Sequence, residues 1–420
     1  LVEQFAIVMP PDGVDGLVNV GLGFSYRNPA HAPAIPGFLP VTHVLPDDGE
    51  LNIAGARVRV RHSPSDSDDS INFLFPDLHL CIHNTVWPVL FNVFAIRGEE
   101  YRDPRVLIPG IDNIIAWAPE YLIATHGPPL SGRERIRETS ERYRDSIQFM
   151  WDQTVRGINK GWTMDEVAAR VSLPTLYDED HFTSERYGVG EHHVRQIYAG
   201  LRGWFDGEES KLFPLQPEER FEKLISGFGG REEVAKQASA AFDANDVRWG
   251  VELATWLARS GAATTADKEL LARGLRLIAE RTPAANIRNW AITRARHLDG
   301  QTPMDRFMKH SFGARTVAHV SAADLIHTLR VLLDPARAEG FQAHVRFVID
   351  GESAGLRIRN CVAVPTDGTG ASEEVSMTRA SLVGILSTKQ PWSAADITVT
   401  GDPSMVDGFR KCFDHAGLQG

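Results

Sequence analysis

Tyr121-Leu122-Ile123-Ala124-Thr125-His126-Gly127-Pro128-Pro129 is the stretch on which the fold class turns. Tyr, Leu and Ile suit a pleated, half-buried surface and Gly-Pro-Pro cannot extend one, so a short strand ends here and hands a histidine to a loop. The glycine beside that histidine lets a ligand or metal approach the backbone closely. Upstream the same pattern recurs. Leu51-Asn52-Ile53 and Ala56-Arg57-Val58-Arg59-Val60-Arg61 alternate apolar and polar residues at period two, and Ile71-Asn72-Phe73-Leu74-Phe75 and Leu78-His79-Leu80-Cys81-Ile82 follow as two more strands. Pro10-Pro11-Asp12-Gly13, Asp47-Asp48-Gly49 and Phe75-Pro76-Asp77 break these runs as turns. Residues 1–132 read as an α/β layer whose strands feed loops, where such layers carry chemistry.

Past Gly132 the period becomes helical. Ile136, Tyr143, Ile147, Met150, Trp151, Thr154 and Ile158 form one apolar stripe on a long helix. Thr163 and Glu166 then stand as N-cap and capping-box partner of the next helix. Residues 233–257 and 266–280 predict helical hairpins with small residues at the crossings, either a tetratricopeptide-like array or an ordinary bundle. A helical domain therefore occupies residues 133–300. Residues 301–420 return to mixed structure: a helix over 322–333, strands over 342–349, 355–364 and 374–378, a helix over 379–386, a strand over 396–400 and a last helix over 403–413. This α+β domain carries no cluster of Asp, Glu, His or Cys and is assigned no catalytic role.

A chain of 420 residues at roughly 150 per domain agrees with that three-part division. With 55 acidic against 44 basic residues the formal charge is −11, and no block of Lys and Arg offers a phosphate-binding stripe, so nucleic acid is not an expected partner. The three cysteines, Cys81, Cys361 and Cys412, fit neither a disulfide framework nor a metal knuckle and predict free thiols. No apolar run reaches the length of a membrane span and no secretory signal is visible, so a soluble, cytoplasmic protein is expected for the chain as given. Leu1 reads like the interior of an element, which predicts further chain upstream.

The chemistry is expected at two loops, Ser63-Pro64-Ser65-Asp66-Ser67-Asp68-Asp69-Ser70 and Ala124-Thr125-His126-Gly127. Asp66 and His126 offer two metal ligands of the types zinc accepts; two alone make no site, and a solvated loop is the alternative reading of the acidic stretch.

The order Gly21-Leu22-Gly23, Asp48-Gly49-Glu50-Leu51-Asn52-Ile53, the Ser63-Pro64 loop, Ile71-Asn72-Phe73, Leu80-Cys81-Ile82, Ile96-Arg97-Gly98 to Arg102-Asp103 and Ala124-Thr125-His126 resembles the second half of a metallo-β-lactamase domain, in its alkylsulfatase branch. Asp152-Gln153-Thr154, Arg186-Tyr187-Gly188, His192-His193-Val194 and Gly203-Trp204-Phe205-Asp206-Gly207 resemble that branch's helical dimerisation domain, and the end resembles its sterol-carrier-protein type 2-like domain. The resemblance implies a multidomain architecture: a partial metallo-β-lactamase αββα layer over 1–132, a dimerisation domain over 133–300 and a sterol-carrier-like α+β domain over 301–420 that offers alkyl chains an apolar cavity.

By the same resemblance Asp66 and His126 are metal ligands, with one or two zinc ions as cofactor. Asn84 stands where a bridging carboxylate is expected, and a neutral amide bridges two cations poorly. Arg97 is implied to hold the sulfate, a task suited to a planar guanidinium, and Tyr187 to stand near it; their structural alternatives are an ion pair of Arg97 with Glu99, Glu100 or Asp103, and plain packing for Tyr187. The H-x-H-x-D-H string of the family is missing. His192-His193 cannot replace it, because neighbours on a helix point about 100° apart. An upstream segment or companion subunit is expected to complete the metal site and cover the sheet edge. The expected function is metal-dependent hydrolysis of sulfate or related esters of lipophilic alcohols by a homodimer. Its rivals are a metal-free homologue that binds an apolar ligand or partner chain, and a metalloenzyme with altered chemistry in a biosynthetic pathway.

Overall fold

The computed structural model describes residues 3, 5–21, 42–45, 48–87, 93, 96, 98, 101–304 and 320–420. Two compact units divide at Pro303 and Met304. Among the described residues no helix is long and apolar enough to cross a membrane.

The first unit opens its regular structure with a sheet of six strands in sequential order, β1 (Asp48–Ile53), β2 (Ala56–His62), β3 (Ile71–Phe75), β4 (Leu80–His83), β5 (Tyr121–Ala124) and β6 (Leu130–Ser131). Alternation in β2 is realised directly: Val58 and Val60 are buried, while Arg57, Arg59 and Arg61 stay exposed and pair with Asp77, Glu50 and Asp48. The strand expected from Leu78 starts two residues later, because Pro76–Leu78 form a single 3-10 turn closed by His79 at φ 49°. Only β4 and β5 run parallel; their crossover contains helix α1 (Pro104–Trp117). Asp103 caps α1 by accepting from Arg105 N.

Helix α2 (Arg133–Asn159) buries Ile136, Tyr143, Ile147, Met150 and Thr154, the stripe read from the sequence. The capping box of Thr163 and Glu166 opens α3 (Met164–Arg170), followed by α4 (Thr175–Asp178) and α5 (Gly190–Arg202). One core joins Leu74 and Cys81 of the sheet, Ile111 and Ile114 of α1, the α2 stripe and Ile197 of α5. A second core lies in α6 (Pro217–Gly227), α7 (Arg231–Asp243), α8 (Val247–Arg259), α9 (Thr265–Arg281) and α10 (Ala285–Leu298). There Gly250 and Gly274 receive the Phe242 ring, which lies 2.4 and 2.6 Å from where their Cβ atoms would be.

Described residues 3–21 are not strands; they run over this second core. Met9 packs against it, Asp15 binds Arg276 at 2.8 Å, Arg288 donates to Gly16 O and Asn289 to Asn19 O.

The second unit holds a five-stranded sheet in the order β11-β10-β7-β8-β9, from β7 (Ala343–Ile349), β8 (Glu352–Arg359), β9 (Val362–Thr366), β10 (Glu373–Met377) and β11 (Ile397–Thr400). Its helices are α11 (Ala322–Thr328), α12 (Arg379–Leu386), α13 (Pro403–Lys411) and α14 (Ala416–Gln419). Residues 355–364, expected as one strand, are parts of two. Asn360 and Cys361, both at positive φ (50° and 57°), make a two-residue hairpin turn between β8 and β9. Phe347, Phe409 and Phe413 stack in the core with centroids 5.9 and 5.0 Å apart.

Candidate active site

The acidic loop between β2 and β3 is tied by its own backbone: Ser63 N donates to Ser70 O, and Ser65 N and Ser70 N both donate to Ser67 O. Strands β4 and β5 end side by side, with His83 opposite Ala124, so the residues that follow them, Asn84 and Thr125, are brought together. Asn84 is where the three loops meet. Its backbone carbonyl accepts from Ser65 Oγ, its Oδ1 accepts from Thr125 Oγ1 and, at 3.2 Å, from Trp87 Nε1, and its Nδ2 donates to Ser70 Oγ at 3.1 Å.

Asp66 and His126 each follow a residue bonded to this junction, yet their side chains take different partners. Asp66 Oδ1 accepts from Arg102 Nη2 at 2.5 Å; the Arg102 side chain is 11% exposed and that of Asp66 40%. His126 lies edge-on to the Trp87 ring, 4.6 Å between centroids. A cavity of about 390 Å³ opens beside the ion pair, walled by Ser65, Asp66, Tyr101, Arg102, Val106 and Leu107. A recess of about 20 Å³, room for one water, lies among Asp66, Thr85, Trp87, Arg102, Tyr143 and Ile147.

Beneath the loops a polar layer holds the strand ends. His83 Nδ1 accepts from the N–H groups of Thr85 and Val86 at 3.0 and 3.2 Å, and burial pushes its pKa down to about 3. Asn72 donates to Gly110 O and accepts from Thr85 Oγ1. Gly110 allows this approach of α1, since a Cβ there would stand 3.0 Å from Thr85 and 3.1 Å from Ser63.

Arg97 lies outside the described residues. Tyr187 is buried against Gly21, whose Cβ would stand 2.2 Å from its ring, and its carbonyl accepts from Asn286 N. His192 and His193 lie on α5, and burial lowers the pKa of both. Arg102 and Trp87 were not singled out by sequence reasoning as site residues. Arg102 precedes the Asp-Pro that starts α1, and Trp87 stands three residues after Asn84; each places a rigid planar group at a strand-to-helix junction, the one signal the sequence offered.

No group of three His, Cys, Asp or Glu side chains converges among the described residues. Asn84 has spent its carbonyl on two donors and Asp66 has a guanidinium, so the described residues do not by themselves fit a metal ion.

The acidic loop and the loops after β4 and β5 thus gather at the ends of a parallel strand pair, in a chain that also holds a helical array and an α+β unit. The chain belongs to the alkylsulfatase family. Residues 163–301 match the model described as alkyl sulfatase dimerisation, and residues 311–418 the model described as alkyl sulfatase C-terminal. A linear primary-alkylsulfatase of Pseudomonas sp. is 30% identical over 94% of this chain and 78% of its own length. An alkyl/aryl-sulfatase of Saccharomyces cerevisiae is 26% identical over 77% of this chain and 52% of its own. The solved stereoselective inverting sec-alkylsulfatase Pisa1 of Pseudomonas sp. shares the fold with a TM-score of 0.78 at 24% identity, covering 90% of this chain and 61% of that one. The chain thus spans about half to four fifths of the length of these relatives.

Proposed function

We propose that the protein to which this chain belongs hydrolyses sulfate esters of lipophilic alcohols. The observation that carries this reading is the 30% identity to a linear primary-alkylsulfatase along 94% of the chain. The site supports it: a cavity of about 390 Å³ with a largely buried guanidinium suits an anionic head group. Arg102 donates hydrogen bonds to the sulfate, and Arg97 is a second guanidinium for the same anion. Tyr187, closed in by Gly21 and α10, serves packing rather than the sulfate. Zinc is the proposed metal. His126 is the side chain proposed to offer it an imidazole; no role above depends on it.

The protein acts as a homodimer. Between α5 and α6, Trp204, Leu212, Phe213 and Leu215 are exposed, Phe213 to 90%, within the segment that matches the dimerisation model. A second copy of the chain covers this apolar arm.

The test is release of sulfate from dodecyl sulfate by the full-length protein supplied with zinc. Turnover is expected, with a loss of about tenfold or more in kcat/KM in Arg102→Ala, the worth of one charge-assisted hydrogen bond. Wild-type protein that binds zinc and releases no sulfate overturns the reading; full activity in Arg102→Ala removes that residue from it.

A further inference from the structure

We infer that Asp66 and Asn84 serve this site without ligating a metal. The inference rests on the alkylsulfatase reading above, and it concerns which residues of this wall touch the ion.

Asn84 is the clearer case. An indole N–H only donates, so the contact at 3.2 Å from Trp87 Nε1 fixes the oxygen of the amide toward Trp87 and its NH2 toward Ser70. The Thr125 hydroxyl takes the other lone pair of that oxygen. Both lone pairs are committed, and an NH2 group has nothing to give a cation. What the arrangement does accomplish is mechanical: Ser65, Ser70, Trp87 and Thr125 belong to three loops, and one amide joins them.

Asp66 is held by charge. Its carboxylate meets the Arg102 guanidinium at 2.5 Å, and Arg102 also reaches Asp66 O at 3.5 Å. Side chain and backbone of one residue are thus held by a single cation whose own side chain is 11% exposed. A divalent ion bound by the same carboxylate would sit within a few ångströms of that positive charge, in a partly buried place where repulsion is poorly screened. Asp66 instead orients the guanidinium at the cavity wall, which makes it a positioning residue for Arg102.

The experiment is zinc titration of the full-length protein, followed by dialysis and elemental mass spectrometry, for wild type, Asp66→Ala, Asp66→Asn and Asn84→Ala. All four are expected to retain the same zinc per chain with affinity changed less than about threefold. Asp66→Asn keeps the size of the side chain, so it reports on the charge even where Asp66→Ala is poorly folded; circular dichroism verifies each variant. Loss of zinc in folded Asp66→Asn or Asn84→Ala, with an active wild type, overturns the inference and leaves the alkylsulfatase reading standing. A wild type that takes up no zinc and releases no sulfate overturns that reading, and this inference with it.

Discussion

His83 and His193 are imidazoles enclosed by the first core, 2% and 0% exposed. Burial holds both to a pKa near about 3, against 6.5 for an exposed histidine. The unfolded chain therefore binds protons at these positions over a range where the folded chain does not. Their contribution to stability is complete above pH 6.5 and is lost as pH falls from there toward 3. The slope is about 1.4 kcal/mol per pH unit for each histidine. Urea unfolding at pH 6.5 and 4.5 should show it, and His83→Gln should flatten it; an unchanged slope would show that His83 titrates normally. At this scale the sequence pointed to two loops that the fold joins at Asn84, because Asp66 and His126 stand beside turn residues at strand ends. It did not disclose Arg102 as the partner of Asp66, since the two are 36 residues apart and only the fold brings the residues before α1 to the β2–β3 loop.

Among the elements, the Gly203-Trp204-Phe205-Asp206-Gly207 stretch shows how a motif is built into local structure. Asp206 accepts from Met164 N at the start of α3 and from Glu208 N, and pairs with Lys211 Nζ at 2.8 Å; its side chain is 1% exposed. Tyr198 of α5 donates to Trp162 O at 3.1 Å beside it. One carboxylate thereby pins the apolar arm to α3. Asp206→Ala should lower stability by about 2 to 3 kcal/mol, read from chemical denaturation, because Lys211 and two backbone donors lose their acceptor together. Element type was legible wherever periodicity ran long, as in α2, whose buried Ile136, Tyr143, Ile147 and Met150 are the expected stripe. The β8–β9 hairpin was hidden for a physical reason. Its turn uses Asn360 and Cys361 in left-handed conformations without a glycine, so nothing in 355–364 interrupted the apolar alternation.

For the molecule as a whole, the exposed arm makes oligomeric state a measurable consequence of sequence. Phe213→Glu combined with Trp204→Ser should convert a dimer into monomers in sedimentation velocity, because a charge facing an apolar partner surface removes the driving force for association. A variant that stays dimeric would move the interface elsewhere in residues 163–301. The resemblance read from motifs reached this scale more securely than the details of the site. The motifs of residues 186–207 fall within the dimerisation model and the last domain matches the C-terminal model, whereas the site depends on a few side chains whose pairing only the fold decides.

Residues 5–21 pack on the second core although they precede the first sheet in the chain. Asp15 engages Arg276 of α9, while Asp299 at the end of α10 engages the same arginine, and the strands of the first sheet lie in sequence between this segment and α6 to α10. The array is thus clasped by polypeptide that both precedes and follows the sheet. Neither part can be excised as a contiguous fragment without cutting the clasp, so a scanning calorimeter should record Leu1–Pro303 melting as a single endotherm, and a helical piece expressed from residue 217 onward should require residues 3–21 supplied in trans to regain its heat capacity signature.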